Sequence, residues 1–347
     1  MDFIKYKSDF EEAALLAGYT ESEIHKLINY AEKLVNNKLP IIFDQKHFSE
    51  LVGYTYDFIL AVTNSTSLFY KHYQIPKKND GFRHLDEPYP DLKNIQEWIL
   101  HMILEPASHI FVSPVAKAFL PGRNLRDNAR FHRNKSKVIS LDIHDFFGSI
   151  SFYPIYKVFI NLGYVKSVSI LLTKLCMYNG SLPQGAPTSP MLSNLVYKHI
   201  DERLFHYCRK RKINYTRYAD DMTFSGNLID TDHLIPYVRN TVHTLGLKLN
   251  EEKTNVMGRG MCQNVTGIVV NERIQVQRNY RKKIRQEIYY ITKYGVTSHL
   301  QKIKNLPLWI KTENQYIQHL MGKVNYVLQI NPNDKEFKQY AIFLKQY

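Results

Sequence analysis

Apolar residues recur along this chain at two spacings, and the switches between them divide it into helical and extended stretches. Ile24, Leu27, Ile28, Ala31 and Leu34 form a stripe at helical spacing behind Thr20-Glu21-Ser22-Glu23, which carries capping signals, so the first forty or so residues read as helices. Asn36, Asn37 and Pro40 stop that pattern. From Tyr73 to Pro90 the chain is polar and basic, and Lys77-Lys78-Asn79-Asp80-Gly81-Phe82-Arg83 has the composition of a hairpin tip. Helical periodicity returns from Ile95 to Leu104 and is expected again over about 152–178, 188–209 and 232–245. Val138 to Ile143 is a short apolar run with one acid, Asp142, and reads as a buried strand. Ile213, Tyr215 and Arg217 lead into Tyr218-Ala219-Asp220-Asp221, and Met222 and Phe224 lead out, so two acids sit at the turn of a β-hairpin. Past Val270 the chain becomes basic and tyrosine-rich, with Ile284, Ile288 and Ile291 at helical spacing.

Composition adds a partner class. The 347 residues are 44% hydrophobic, enough for a sizeable core divided among two or three subdomains. The formal net charge of +14 favours a polyanion, because lysines and arginines displace counterions condensed on a phosphate backbone. No apolar run is long enough to span a membrane and no leader pattern is visible, so nucleic acid is the expected partner rather than a lipid surface. Cys176, Cys208 and Cys262 lie far apart without a C-x-x-C pairing, which argues against a disulfide framework or structural zinc and fits a reducing cytoplasm. The histidines lack the H-E-x-x-H spacing of a zinc hydrolase.

The acids carry the candidate chemistry. A charge in the apolar run 138–143 is costly unless paired or coordinated, and adjacent strands of one sheet could bring Asp142 to Asp220. Two divalent ions about 3.5–4 Å apart need bridging carboxylates, a role for Asp142 and Asp220 with Asp221 secondary. Asp145 reads as a helix N-cap rather than a further ligand. Asp-Asp alone is also an ordinary turn sequence, so the pair needs support from elsewhere in the chain.

That support lies between the acids, in Leu182-Pro183-Gln184-Gly185-Ala186-Pro187-Thr188-Ser189-Pro190. In order, Val138 to Asp142, Leu182 to Gly185 and Tyr218 to Asp221 resemble palm motifs A, B and C of the reverse transcriptases. The resemblance implies an α+β right-hand polymerase with fingers, an antiparallel palm sheet backed by helices, and a short helical thumb. The corresponding division is 1–45 N-terminal helical region, 46–135 fingers, 136–270 palm (with part of the fingers at about 152–190) and 271–347 an RNA-binding thumb. It implies RNA-directed DNA polymerase activity with two Mg2+ ions on Asp142, Asp220, Asp221 and the backbone carbonyl of Ile143. Lys78 and Arg83 would hold the incoming triphosphate, Phe147 would exclude a 2′ hydroxyl, Gln184 and Gly185 would abut nucleotide and template, and Lys253 would donate a proton to the leaving pyrophosphate. The alternatives are plainer: a solvated loop, a Phe146–Phe147 core pair and an exposed helix-end lysine.

Asn128-Ala129-Arg130-Phe131-His132 and Val265-Thr266-Gly267 resemble the signatures of the retron branch of that family. Membership implies a cognate structured non-coding RNA, priming from the 2′ hydroxyl of an internal guanosine, and a multicopy single-stranded DNA joined to the RNA by a branch. It also implies a separate effector protein and a role in defence against phage. Asn128, His132, Val265, Thr266 and Gly267 are then expected at the RNA, as are Arg278, Arg281, Lys282, Lys283 and Arg285 at the start of the tail helix. Asn128 and His132 could instead fix a local turn. The competing readings are a group II intron or diversity-generating reverse transcriptase, and a non-catalytic RNA or effector scaffold. Residues 1–40 match nothing assignable.

Overall fold

A computed structural model describes residues 3–76, 81–303 and 306–347. Two helices, Phe3–Leu16 and Glu21–Asn36, open the chain, the second behind a capping box in which Thr20 and Glu23 satisfy each other's backbone N–H groups. Leu34 reaches the main core, while Tyr164 Oη and Asn37 Nδ2 donate to the carbonyls of Pro40 and Leu162 and tie this region to the helices that follow the first acid. Strands β1 (Tyr70–Pro76) and β2 (Phe82–Pro88) form an antiparallel hairpin, and its tip, with Lys77 and Lys78, lies outside the described residues. The helix expected from Ile95 runs Pro90–Ile99 and continues through a π turn over Leu100–Leu104.

The central sheet is antiparallel, in the order β4-β5-β3-β6, with β3 Lys137–Ile143, β4 Asn214–Tyr218, β5 Asp221–Gly226 and β6 Leu249–Gly258. Strand alternation sorts its two faces. Ile139, Leu141, Ile143, Tyr215, Met222 and Phe224 point into the main core, where helices such as Phe152–Leu162, Lys166–Leu175 and Lys198–Lys210 cover them. Asp142, Asp221, Thr223, Ser225 and Thr216 occupy the opposite face by the same alternation. The fold class is therefore α+β, with helices backing one face and polar side chains on the other.

A second core lies past the sheet. Short strands β7 (Asn264–Val265), β8 (Ile268–Val269) and β9 (Gln275–Val276) lead into the helix Arg278–Tyr294, whose Ile284, Ile288 and Ile291 are buried as their spacing predicts. They pack with the helices Glu313–Ile330 and Lys335–Leu344, and Ala129, Val138 and Met257 join the same cluster. Among the described residues no helix is long and apolar enough to cross a membrane. Cys176 and Cys208 are buried, with their thiols pushed up to about 12 chiefly by burial, while Cys262 is exposed.

Candidate active site

The β4–β5 hairpin closes through Ala219 and Asp220 alone, since Tyr218 pairs with Asp221. Ala219 adopts φ 57°, a left-handed conformation that costs a residue with a Cβ about 1 kcal/mol and persists where surroundings over-determine it. Those surroundings begin two residues earlier. Arg217 Nη1 donates to the Ala219 carbonyl at 3.0 Å, while its Nε and Nη2 grip both oxygens of Asp201 at 2.7–3.2 Å. Arg217 and Asp201 are fully buried, Tyr215 Oη donates to the same carboxylate at 2.8 Å, and the guanidinium lies 4.6 Å from the Tyr197 ring centroid. The strand pattern named Arg217 only as a residue leading into the turn; its partner, sixteen residues back on a helix, carried no signal.

Asp142 stands directly opposite Asp221 in the β3–β5 register, and the Ile143 N–H donates to the Asp220 carbonyl at 3.2 Å. Three carboxylates thus converge at one end of the sheet. Burial, reinforced by the charge of Asp142, holds the Asp220 carboxyl above its usual range. Burial and then the charges of Asp220 and Asp142 push Asp221 up to about 6. Lys253 and Arg83 act the other way on Asp220, so the exposed Arg83 of β2 faces the acids electrostatically.

Lys253 is on a strand, not at a helix end. The β3–β6 ladder is interrupted between Ser140, paired with Asn255, and Asp142, paired with Asn250, so residues 251–254 make an excursion opposite Leu141. From it the Lys253 ammonium reaches both oxygens of Asp142 at 3.0 Å. No group of three or more His, Cys, Asp or Glu among the described residues forms a ready-made metal cage. Mg2+ does not require one, since it is commonly held by one or two carboxylates plus substrate phosphates and water. A hard-oxygen set whose members raise one another's pKa fits such an ion.

Gln184 and Gly185 meet the fingers hairpin. The Asp86 N–H of β2 donates to the Gln184 carbonyl at 2.9 Å, and a Cβ on Gly185, at φ 141°, would lie 2.7 Å from the Asp86 carbonyl oxygen. Phe147 is partly buried against Phe146, with ring centroids 5.0 Å apart, and lies 6.3 Å from the Phe119 ring. Asp145 is not a helix N-cap: it sits at φ 43° in a run of turns, with its carboxylate packed over Gly148 so closely that a side chain there would collide with it.

Several residues expected at the RNA are buried instead. His132 is fully enclosed between Ser225 Oγ (2.8 Å from Nδ1) and Thr216 Oγ1 (2.7 Å from Nε2), and burial pushes its pKa down to about 3. Thr216 Oγ1 donates to Asn128 Oδ1 at 2.6 Å, and Asn128 Nδ2 reaches Thr266 Oγ1 at 3.4 Å. The segment 128–132 therefore latches the polar face of the catalytic hairpin rather than fixing a local turn. Thr266 and Gly267, both at positive φ, form the two-residue turn between β7 and β8, while Val265 is buried in the second core. Arg281 and Arg285 are also engaged, Arg281 with Asp334 at 2.7 Å and Arg285 with Glu336 at 2.5 and 2.7 Å. Arg278, Lys282 and Lys283 remain exposed.

Comparison with known proteins decides the family. The reverse transcriptase (RNA-dependent DNA polymerase) family matches residues 75–303. The retron Ec86 reverse transcriptase of Escherichia coli is 30% identical over 276 residues, covering 78% of this chain and 85% of that protein. This chain belongs to the retron reverse transcriptases. The retron Mx65 enzyme of Myxococcus xanthus is 32% identical over 77% of this chain and 62% of its own length, and retron Ec83 of Escherichia coli is 28% identical over 80% and 88%. Among solved structures, a Candida albicans telomerase with a fragment of telomeric RNA covers 80% of this chain and 63% of its own at 11% identity and a TM-score of 0.47. A foamy viral protease–reverse transcriptase bound to double-stranded DNA covers 80% and 38% at 14% identity and 0.43. The retron enzyme described here is accordingly an RNA-directed DNA polymerase. Its three acids converge at one end of the central sheet.

Proposed function

We propose that this reverse transcriptase copies a cognate structured RNA into multicopy single-stranded DNA, starting from the 2′ hydroxyl of an internal guanosine and leaving a branched RNA–DNA product. The observation that carries this reading is the joining of its two retron signatures, Asn128 to His132 and Val265 to Gly267, through Asn128 and Thr266. They form one unit between the catalytic hairpin and the thumb, where a distinctive primer has to be presented. Such a system serves defence against phage together with a separate effector protein.

Asp142 and Asp220, with the Ile143 carbonyl, would hold two Mg2+ ions. When bound, these ions sharpen the attacking hydroxyl and neutralise charge on the leaving pyrophosphate. Asp221, whose carboxyl is pushed up to about 6 by burial and then by the charges of Asp220 and Asp142, would support the other two. Arg83, alongside Lys78, clamps the triphosphate, and Phe147 closes the floor against a 2′ hydroxyl. Gly185 lets the motif B loop lie against β2, setting the gap between fingers and palm. Lys253, whose ammonium reaches both Asp142 oxygens at 3.0 Å, would donate a proton to the leaving pyrophosphate.

The test is to purify the full chain expressed with its flanking DNA and sequence the nucleic acid it retains. A short branched RNA–DNA hybrid is expected, replaced by unextended RNA in Asp220→Ala with Asp221→Ala. A linear product alone would overturn the branched, 2′-hydroxyl-primed reading, and undiminished synthesis by the double variant would remove the catalytic assignment.

A further inference from the structure

A cleft of about 610 Å3 opens in the thumb between the helices Arg278–Tyr294 and Glu313–Ile330. None of the three acids lines it. One wall is a single stripe of the first helix, Lys283, Glu287, Tyr290 and Tyr294; the facing wall is Tyr316, His319 and Lys323. His299 and Lys302, from the short helix Val296–Lys302, also line it.

The cleft is braced from within. Lys323 Nζ lies 3.0 and 3.1 Å from the two Glu287 oxygens, Tyr316 Oη donates to Glu287 at 3.1 Å, and His299 Nε2 meets that hydroxyl at 2.9 Å. The Tyr290 ring stands 5.5 Å from His299 and 6.3 Å from Tyr294. Burial lowers the pKa of both His299 and His319, so each presents a neutral ring at neutral pH. Lys302 Nζ lies 5.2 Å from the Tyr294 ring centroid at the rim, and exposed Lys283 makes no ion pair among the described residues.

We propose that this cleft captures one unpaired nucleotide of the RNA the enzyme retains, its base against the rings of Tyr290, Tyr294 and His299 and its phosphate against Lys283 and Lys302. This rests on the reading that the chain holds a structured RNA. Rings beside cations are the pairing that single-stranded nucleic acid exploits, because every base has a π face and every linkage a charge. The volume lies within the usual range for a small-ligand site. A base inside a duplex has both faces covered by its neighbours, so a loop, bulge or end is required. An acidic peptide would use the three lysines and leave the ring faces unfilled.

The experiment strips the retained RNA from the purified full chain, labels it, and measures rebinding to the parent, Tyr294→Ala, Lys302→Gln and, as a control, Lys293→Gln. Lys293 Nζ also lies 5.2 Å from the Tyr294 ring centroid but does not line the cleft. The first two variants should bind about tenfold more weakly, with melting temperatures near the parent's, and the control within about twofold. Ultraviolet crosslinking of the parent complex, read by mass spectrometry, should place a ribonucleotide adduct on Tyr290, Tyr294 or His299. Equal weakening by all three variants, an adduct carrying deoxyribose, or crosslinks confined to other thumb peptides would overturn the proposal while leaving the enzyme's function intact. A parent chain that retains no RNA would sink both.

Discussion

Lys253 holds both carboxylate oxygens of Asp142, each at 3.0 Å, across an interruption in the β3–β6 ladder. The residue proposed as proton donor to the product is thus also the counter-ion of a proposed metal ligand. Lys253→Met should slow single-turnover nucleotide addition about a hundredfold, the lower range for a general acid, without weakening the Mg2+ dependence. Incorporation within twofold of the parent would remove Lys253 from the chemistry.

The buried pair Arg217–Asp201 makes a different prediction, because the isolated cation is the costly state. Asp201→Asn should destabilise the fold by about 3–5 kcal/mol in urea unfolding. Replacing both, Asp201→Leu with Arg217→Met, should recover much of that stability. Activity should not return with it, since the hydrogen bond from Arg217 to the Ala219 carbonyl is gone.

His132 supplies a pH signature. Its folded pKa, about 3, is below the ordinary 6.5, so the unfolded chain binds the extra proton between those values. The neutral ring's contribution is therefore full above pH 6.5 and is lost as pH falls toward 3, with a slope of up to about 1.4 kcal/mol per pH unit. Urea midpoints from pH 7 to pH 5 should fall more steeply for the parent than for His132→Gln. Parallel slopes would mean that the ring is not held neutral.

Gly185→Ala should displace β2 from the motif B loop, because the new methyl would lie 2.7 Å from the Asp86 carbonyl. A cost on the order of 2 kcal/mol is expected in unfolding experiments, together with a raised KM for the incoming nucleotide. An unchanged KM would separate the loop from the nucleotide gap.

Much of the architecture was legible because it is written in local periods. A short apolar run announced β3 and alternation the β4–β5 hairpin, the spacing of Ile284, Ile288 and Ile291 announced the helix Arg278–Tyr294, and Thr20 with Glu23 announced a helix start. Site chemistry was legible only in part. The cluster from Arg278 to Arg285 reads as one basic surface, yet Arg281 and Arg285 are paired with Asp334 and Glu336, some fifty residues further on. Asn128 and His132 read as contact residues, yet the enclosed face of the hairpin claims both.

By itself, then, the sequence determined the family, the strand β3, the β4–β5 hairpin with its candidate acids and several of the helices, because motif spacing and hydrophobic period are properties of neighbouring residues. Tertiary structure decided which charges are spent within the protein and which remain for a ligand. It set Arg217 against Asp201, Lys253 against Asp142, and Asn128 beside Thr266, since a charge or hydroxyl finds its partner through space once the core has closed.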